Sequence, residues 1–390
     1  MLEVQTYLLT HSFADLAREH GVYARVGVGG HKVSMNYDQI EAKDGNPIVE
    51  ECRGLVLGHK SGKPVDMAGI VGALDIFALP MRRFYNFGQG HAASVDLNNP
   101  NTRFFEKLDG TLCVLYYDRI LRDWCVATRS VADADLPMDG FGNQTFASLF
   151  WKAFKASGGD ISTLDYAKGQ HTFCFELCCP DNQVVVYYPD YKVYLLAARE
   201  NSTGDEMSPE GWARQIGVGV CPSYRFGSTA EMLEFVSSRD PSKHEGIVVC
   251  DTGYNRVKVK NANYMALSKI KDSVVKSPRA VLEIILHGKE DDVMPLVPAH
   301  IQEEIHKTKD KLARLIVSVD EEYVRLYHPD RKTFALGIQA NSGWMAPHMA
   351  RWTGKAQGCK DWILSNKKNG TWADGFLDSI LSGCAKVGNP

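Results

Sequence analysis

The chain has 390 residues, 44% hydrophobic and 23% charged, with a formal net charge of −3 at pH 7. That is room for two domains of ordinary composition, and the near-neutral balance excludes a protein drawn onto nucleic acid or anionic lipid by its overall field, so a polyanionic partner has to be met by a local cluster of cations. Ten scattered cysteines with no Cys-x-x-Cys pair, early acidic residues Glu3, Asp15 and Glu19, and no apolar run of spanning length predict reduced core thiols and a cytoplasmic protein with no membrane partner.

In chain order, Leu2 to His20 carries Tyr7, Leu8, Phe13, Leu16 and Ala17 at helical spacing and predicts one opening amphipathic helix. Gly21, Gly27, Gly29 and Gly30 break it; they are no dinucleotide fingerprint, because the strand-like Lys32 to Tyr37 follows. Glu50-Glu51-Cys52-Arg53-Gly54 feeds an apolar strand, with Arg53 at its mouth and a surface ion pair to Glu50 or Glu51 as the plain reading. Pro80 to Phe87 (PMRRFYNF) mixes guanidinium groups with aromatics, a composition suited to clamping a nucleotide and equally to a half-buried strand. Arg103 to Lys107 and Thr111 to Tyr117 read as strands, and Asp109-Gly110 between them predicts a hairpin with Lys107 beside its turn.

Further on, Trp124 to Arg129 reads as a strand and Thr145 to Ala156 as a helix. Thr172 to Leu177 and Gln183 to Tyr188 are β-rich runs, and Glu176 is the one charge inside the first, where it needs a cation or a metal. Tyr191 to Ala198 is another strand, Ser228 to Ser238 a short helix, and Glu245-Gly246 opens a strand. Arg256 to Lys260 alternates strictly, setting Arg256, Lys258 and Lys260 on one face and Val257 and Val259 on the other. A lysine-protected edge strand and a polyphosphate site share that pattern. Beyond about Lys269 the chain turns helical, over Pro278 to His287, Pro298 to Tyr327 and Asn341 to Trp352. The expected fold class is α+β, a strand-rich mixed first part and a helical last third.

Taken in order, Lys107-x-Asp109-Gly110, the strand-borne Glu176, Glu245-Gly246 and Lys258-x-Lys260 resemble the motifs of the covalent nucleotidyltransferases, the superfamily of ATP-dependent polynucleotide ligases and guanylyltransferases. Glu51-Cys52-Arg53-Gly54, Pro80-Met81 with Phe84-Tyr85-Asn86, Phe175-Glu176, Pro180 with Asn182, Arg199-Glu200-Asn201 with Thr203-Gly204, and Asp330-Arg331-Lys332-Thr333 narrow the resemblance to the phage-type RNA ligase 1 family, over essentially the whole chain. The resemblance implies an ATP-grasp-like nucleotidyltransferase domain with antiparallel sheets at 1–270. It also implies an all-helical C-terminal domain at 271–390, where DNA ligases and capping enzymes usually carry a small β-barrel.

It implies a three-step reaction as well: a lysine attacks the α-phosphate of ATP, AMP passes to an RNA 5′-phosphate, and a 3′-hydroxyl displaces it. Lys107 is then the nucleophile, and because a free lysine titrates near ~10.4 the site has to favour the amine. Lys258 and Lys260 hold phosphates; Arg53, Arg83, Glu106 and Arg129 join Glu176 and Glu245 in binding ATP. Glu176 and Glu245 position hydrated Mg²⁺, with Mn²⁺ as the alternative ion, and Asp291-Asp292 are either an acidic pair for a second metal or a solvated pair flanking a helix. Arg83 and Arg129 stand where the family carries lysine, and Ala68 to Ala78 looks like an insertion. The expected partner is RNA with 5′-phosphate and 3′-hydroxyl ends, a nicked tRNA in a repair setting, met by a monomer whose helical tail offers Arg325, Arg331, Lys332, Arg351 and Lys355 with Trp344 and Trp352, the plain alternative being a stabilising cap whose basic residues are solvated. The alternatives are a DNA ligase or guanylyltransferase of the same superfamily and a catalytically silent RNA-binding module.

Overall fold

The computed structural model describes residues 1–38, 41–135, 144–265, 268, 277–288, 293–294, 297, 299–368 and 371–386. The chain divides into two compact units, Met1–Ala266 and Leu267–Pro390.

Three sheets build the first unit. The first is antiparallel, in the order β1 (Val22–Val26), β2 (Lys32–Tyr37), β3 (Arg53–Gly58), β4 (Asp75–Ala78). The second runs β11 (Glu206–Met207), β10 (Lys192–Glu200), β9 (His171–Cys178), β7 (Thr111–Asp118), β8 (Asp123–Ala127), with β12 (Gly219–Val220) parallel to β10. The third runs β13 (Ser223–Tyr224), β6 (Arg103–Glu106), β14 (Gly246–Cys250), β15 (Arg256–Lys260), β5 (Tyr85–Asn86), the last pair parallel.

The period of two along each strand decides what the sheets bury. On β9, Phe173, Phe175 and Leu177 pack with Phe150 and Phe154 of α4 (Phe146–Ala156) and Ala213 of α5 (Pro209–Ile216). Each such buried aromatic or leucine contributes about 1.5–3 kcal/mol. Cys174 lies on the opposite face with Leu112, Val114 and Tyr116 of β7, against Val56 and Phe77 of the first sheet. Glu176 shares that second face. On β15, Val257 and Val259 pack beneath Met232 and Val236 of α6 (Thr229–Ser238), which turns Lys258 and Lys260 the other way. The second and third sheets meet through Phe105, Leu108, Cys178 and Cys221.

Four expectations change. Leu2 to His20 is two helices, α1 (Glu3–Leu8) and α2 (Phe13–His20), because Ser12 and Asp15 form a reciprocal capping box that starts the second. Glu51 serves the first: its carboxylate accepts the Glu3 and Val4 amides after the short helix α3 (Pro47–Glu51), so it is no surface partner for Arg53. Asp109-Gly110 is no hairpin, since β6 and β7 belong to different sheets. Gln183 to Tyr188 is not a strand; the Val185 and Val186 amides donate to Asp109, each at 2.7 Å, and are engaged there instead of in a ladder.

A buried charge cluster ties the first sheet to the second. Lys32, fully buried, reaches Asp118 at 2.7 Å and Asp133 at 2.5 Å, and His31 meets Asp118 at 2.9 Å. Such a group costs free energy when one partner is lost, more than it stabilises when complete.

The described residues of the second unit include the helices α7 (Pro278–Leu286), α8 (Ala299–Leu326), α9 (Arg331–Asn341), α10 (Met345–Trp352), α11 (Cys359–Ser365) and α12 (Asp374–Lys386), and a bridge between Lys368 and Thr371. Leu282, Leu315, Val319, Ile363, Leu377 and Ile380 form its core around Trp372, whose indole donates to the Ile363 carbonyl. All ten cysteines are free thiols, and among the described residues no helix is long and apolar enough to cross a membrane.

Candidate active site

A cavity of about 460 Å³ opens in the first unit, and Lys107 lies on its wall, within the size range of nucleotide pockets. The chain crosses here from the third sheet to the second. The Lys107 amide donates to the Gly246 carbonyl at 2.9 Å, fastening it to β14. Two residues on, the buried Asp109 carboxylate accepts Val185, Val186 and the Tyr264 hydroxyl (2.5 Å), while its own amide donates to Tyr188. Burial pushes the Asp109 carboxyl up despite those bonds. Gly110 follows because a Cβ there would stand 2.2 Å from the Leu177 carbonyl oxygen, and its amide donates to Glu176 at 3.1 Å. The crossover is thus fixed on both sides of the lysine.

Glu245 joins the cations. Its carboxylate, 5% exposed, takes Lys107 Nζ at 2.6 Å on one oxygen and Lys260 Nζ at 2.7 Å on the other. Gly246 next to it has φ +147°, and a Cβ would meet the Val259 carbonyl oxygen at 2.1 Å, so only glycine lets β14 lie against β15 at this point. Burial, reinforced by Glu245, pushes Glu176 up to about 7, with Lys107 and Arg53 pulling the other way. Burial and then the charges of Lys260, Lys107, Arg53 and Arg83 bring Lys258 down to about 8. A carboxyl group whose ionisation burial disfavours and an ammonium whose charge its surroundings disfavour face the same small volume.

Arginines complete the wall. Arg53 sits 5.9 Å from the Phe84 ring and burial lowers its guanidinium; Lys258 approaches the same ring at 5.7 Å. Arg83 lies over Tyr37 at 4.4 Å and Tyr85 at 4.8 Å and pairs with Asp44 at 2.6 Å. Arg129 follows β8 on the cavity edge, where Gly54 (φ +81°) allows β3 to pass its Cα. Glu106 lines the cavity as well, hydrogen-bonded to the Tyr224 hydroxyl and to His244 Nδ1 (3.0 Å).

The structure therefore brings Arg53, Arg83, Glu106, Lys107, Arg129, Glu176, Lys258 and Lys260 onto one cavity, with Glu245 bonded to two of them. Arg256 departs from the expectation of three like cations: it is neutralised by the half-buried Glu206, with one contact at 2.9 Å. The strand is also no edge, because β5 pairs beside it. Asp291 and Asp292 lie outside the described residues. Among the expected basic points of the tail, Arg351 is bound to Asp320 (3.1 Å) and Arg325 to Glu322 (3.3 Å), and Trp344 packs in the helical core. The sequence reading missed Asp44, Tyr37 and Tyr264, all lone polar or aromatic residues without a motif around them.

Against known proteins, no family model matches the chain. A putative bifunctional polynucleotide kinase/RNA ligase of Autographa californica nuclear polyhedrosis virus is 25% identical over 320 residues, covering 76% of this chain and 42% of its own length. An RNA ligase of Rhodothermus phage RM378 is 25% identical over 245 residues, 53% of this chain and 54% of its own. In sequence, the chain resembles RNA ligases. It spans about half the length of these curated relatives. A solved archaeal ATP-dependent RNA ligase aligns over 84% of this chain and 85% of its own at 12% identity, with a TM-score of 0.45.

Proposed function

We propose that the chain is an ATP-dependent RNA ligase that joins 5′-phosphate and 3′-hydroxyl ends through lysyl-AMP and RNA-adenylate. The observation that carries this reading is Lys107: a primary amine on the wall of a nucleotide-sized cavity, held by Glu245 and surrounded by Arg53, Lys258 and Lys260. The likeness to viral and phage RNA ligases supports RNA as the strand.

In the first step the Lys107 nitrogen, having given up a proton, forms a bond to the α-phosphorus, and the bond from that phosphorus to the bridging oxygen breaks, releasing pyrophosphate. Lys258, Lys260 and Arg53 face the phosphates and offset the charge that develops on the leaving group. AMP is then passed to the 5′-phosphate of the RNA, and the 3′-hydroxyl of the other end displaces it.

Glu176 and Glu245 fit a divalent cation. Their donors are hard carboxylate oxygens, and Glu176, held at about 7 by burial, is a carboxylate that a nearby cation would ionise. A pair of carboxylates suits Mg²⁺, an ion that keeps several waters and binds through one or two carboxylates and substrate phosphates. When bound it supplies charge neutralisation at the α-phosphate.

The first unit is the adenylyltransferase and the helical unit engages the RNA, with a nicked tRNA as the natural class of substrate and a monomer as the acting form. The test is strand joining: 5′-phosphorylated RNA and the matching DNA are offered with ATP or GTP to the wild type and to Lys107→Ala. Joining of RNA with ATP by the wild type alone supports the proposal. Joining confined to DNA, or to reactions with GTP, overturns it.

A further inference from the structure

A nucleotide reaches Lys107 in the cavity already described, but joining also brings RNA to the same phosphate, so the strand has to enter through space continuous with that cavity. Two further cavities share its wall. One, of about 670 Å³, has Arg83, Phe84, Tyr85 and Arg256 in common with it; the other, of about 850 Å³, has Phe105, Leu196, Pro209 and Arg256. Sheet order sets the two apart: Tyr85 is on β5, which pairs with β15, and Phe105 is on β6, which pairs with β14. They therefore flank the β14–β15 pair. Tyr254, in the turn that joins those two strands, lines both flanking cavities and is not on the wall of the nucleotide cavity.

The backbone holds Tyr254 there under strain. Its φ is +60°, a left-handed conformation that disfavours any residue with a Cβ, and the positive angle falls on this tyrosine and not on Gly253 before it. Asp251 enforces the turn: its Oδ1 accepts the Gly253 and Asn255 amides, each at 2.9 Å, and its carbonyl accepts the Tyr254 amide at 3.1 Å. The ring is half-buried and 6.0 Å from the Arg256 guanidinium, which Glu206 already neutralises. A glycine would relieve the backbone, so a tyrosine kept in this conformation points to a use for its ring. Charge marks neither cavity, because arginines and carboxylates are mixed on both walls, Arg82 with Glu50 on one and Arg225 with Asp251 on the other. The ring does mark them. Single-stranded RNA ends offer unstacked bases, which settle on aromatic faces whatever their sequence.

We propose that Tyr254 is the stacking platform for the base of the terminal nucleotide of an RNA end brought to the adenylylated lysine. The inference rests on the adenylyl-transfer reading above and adds to it the place where a strand is held. The base belongs either to the 5′-phosphate end or to the 3′-hydroxyl end, and both present the same π face.

The experiment measures KM for RNA in the joining reaction, with the wild type, Tyr254→Gly and Tyr254→Phe. Each strand is offered intact and with a stable abasic ribose as its terminal nucleotide, in one arm at the 5′-phosphate end and in the other at the 3′-hydroxyl end. The ratio of abasic to intact KM is read within each arm, so a general loss of activity does not mask the result. The proposal predicts that the wild type loses on the order of tenfold on the abasic strand in one arm, as one base stacked on one ring implies. In that arm Tyr254→Gly brings the ratio to about one by weakening the intact strand alone, and Tyr254→Phe, which keeps the ring, retains it. The arm that responds names the end. All three proteins take label from ATP equally, because Tyr254 is outside the nucleotide cavity. A wild type indifferent to the missing base at both ends, a Tyr254→Gly variant that keeps the full ratio, or one that loses labelling together with joining overturns the role of Tyr254, while labelling of the wild type leaves adenylyl transfer standing. A wild type that takes no label from ATP overturns both.

Discussion

Replacing Lys258 with Met makes the protein more stable and less active. The ammonium is brought from an ordinary 10.5 down to about 8 by burial and by the neighbouring cations, which at 1.36 kcal/mol per pH unit corresponds to about 3 kcal/mol of disfavoured charge at neutral pH. Partial exposure and the lost contact with the Phe84 ring, about 0.5–1 kcal/mol, reduce the net gain to about 1–2 kcal/mol. For a unit of this size that raises the melting temperature by roughly 2–8 °C. The sign with pH follows from linkage: a lowered folded-state value means that stability is present in full above 10.5 and lost as pH falls through about 8. The advantage of Lys258→Met is therefore largest at or below pH 7 and already smaller at about pH 9. Thermal melts of both proteins without nucleotide, at those two pH values, check this, alongside labelling with α-labelled ATP, which the variant loses. A variant that melts below the wild type at pH 7, or whose gain is equal at both pH values, refutes the reasoning that this lysine is held charged against its surroundings.

Glu176 gives a second pH test. With its value raised from 4.5 to about 7, its contribution to stability is fully present below 4.5 and lost as pH rises through 7, whereas the ionised form needed beside a divalent cation appears only above 7. Labelling of the wild type should carry the Glu176 limb below about 7 on top of the deprotonation that Lys107 itself requires, stop on removal of divalent metal with a chelator, and return with Mg²⁺; Glu176→Gln should lose the Glu176 limb and show a shallower acid side, and an unchanged acid limb in that variant contradicts the assignment. Gly110→Ala sets a Cβ 2.2 Å from the Leu177 carbonyl, in a ladder that pairs Thr111 with Leu177. A loss on the order of 3 kcal/mol and a clearly lower melting temperature follow, and an unchanged melt would show that the crossover yields. Glu245→Gln unlinks Lys107 from Lys260 and lowers labelling on the order of a hundredfold; labelling within a factor of two of the wild type would remove Glu245 from the mechanism.

Much of the site was legible because its residues sit on strands, where period two converts spacing into direction. Glu176 as the one charge in an apolar run, and Lys258 and Lys260 opposite two valines, both face the cavity as that rule requires. What escaped were the long-range partners. Asp109-Gly110 has the letters of a hairpin turn, yet the aspartate anchors residues 76 and 77 positions away in sequence and the glycine clears a backbone carbonyl of another strand. Local propensity contains neither fact. Arg256 looked equivalent to its two neighbours until Glu206, 50 residues earlier, was brought against it. The helical unit was read only in part: three helical runs stand out by their apolar stripes, while α9, α11 and α12 are short or interrupted by small residues, and Asp330, part of the family fragment, is the N-cap of α9.

The central claim is that Lys107 becomes covalently adenylylated. Wild type and Lys107→Ala, first stripped of bound AMP with pyrophosphate, are incubated with ATP and Mg²⁺ without nucleic acid, and intact mass followed by peptide mapping locates any adduct. The account predicts one adenylyl group on the wild type, on Lys107, labile to acid as a phosphoramidate, and none on the variant. An adenylyl group on another residue, one that persists in Lys107→Ala, or none on the stripped wild type would contradict it.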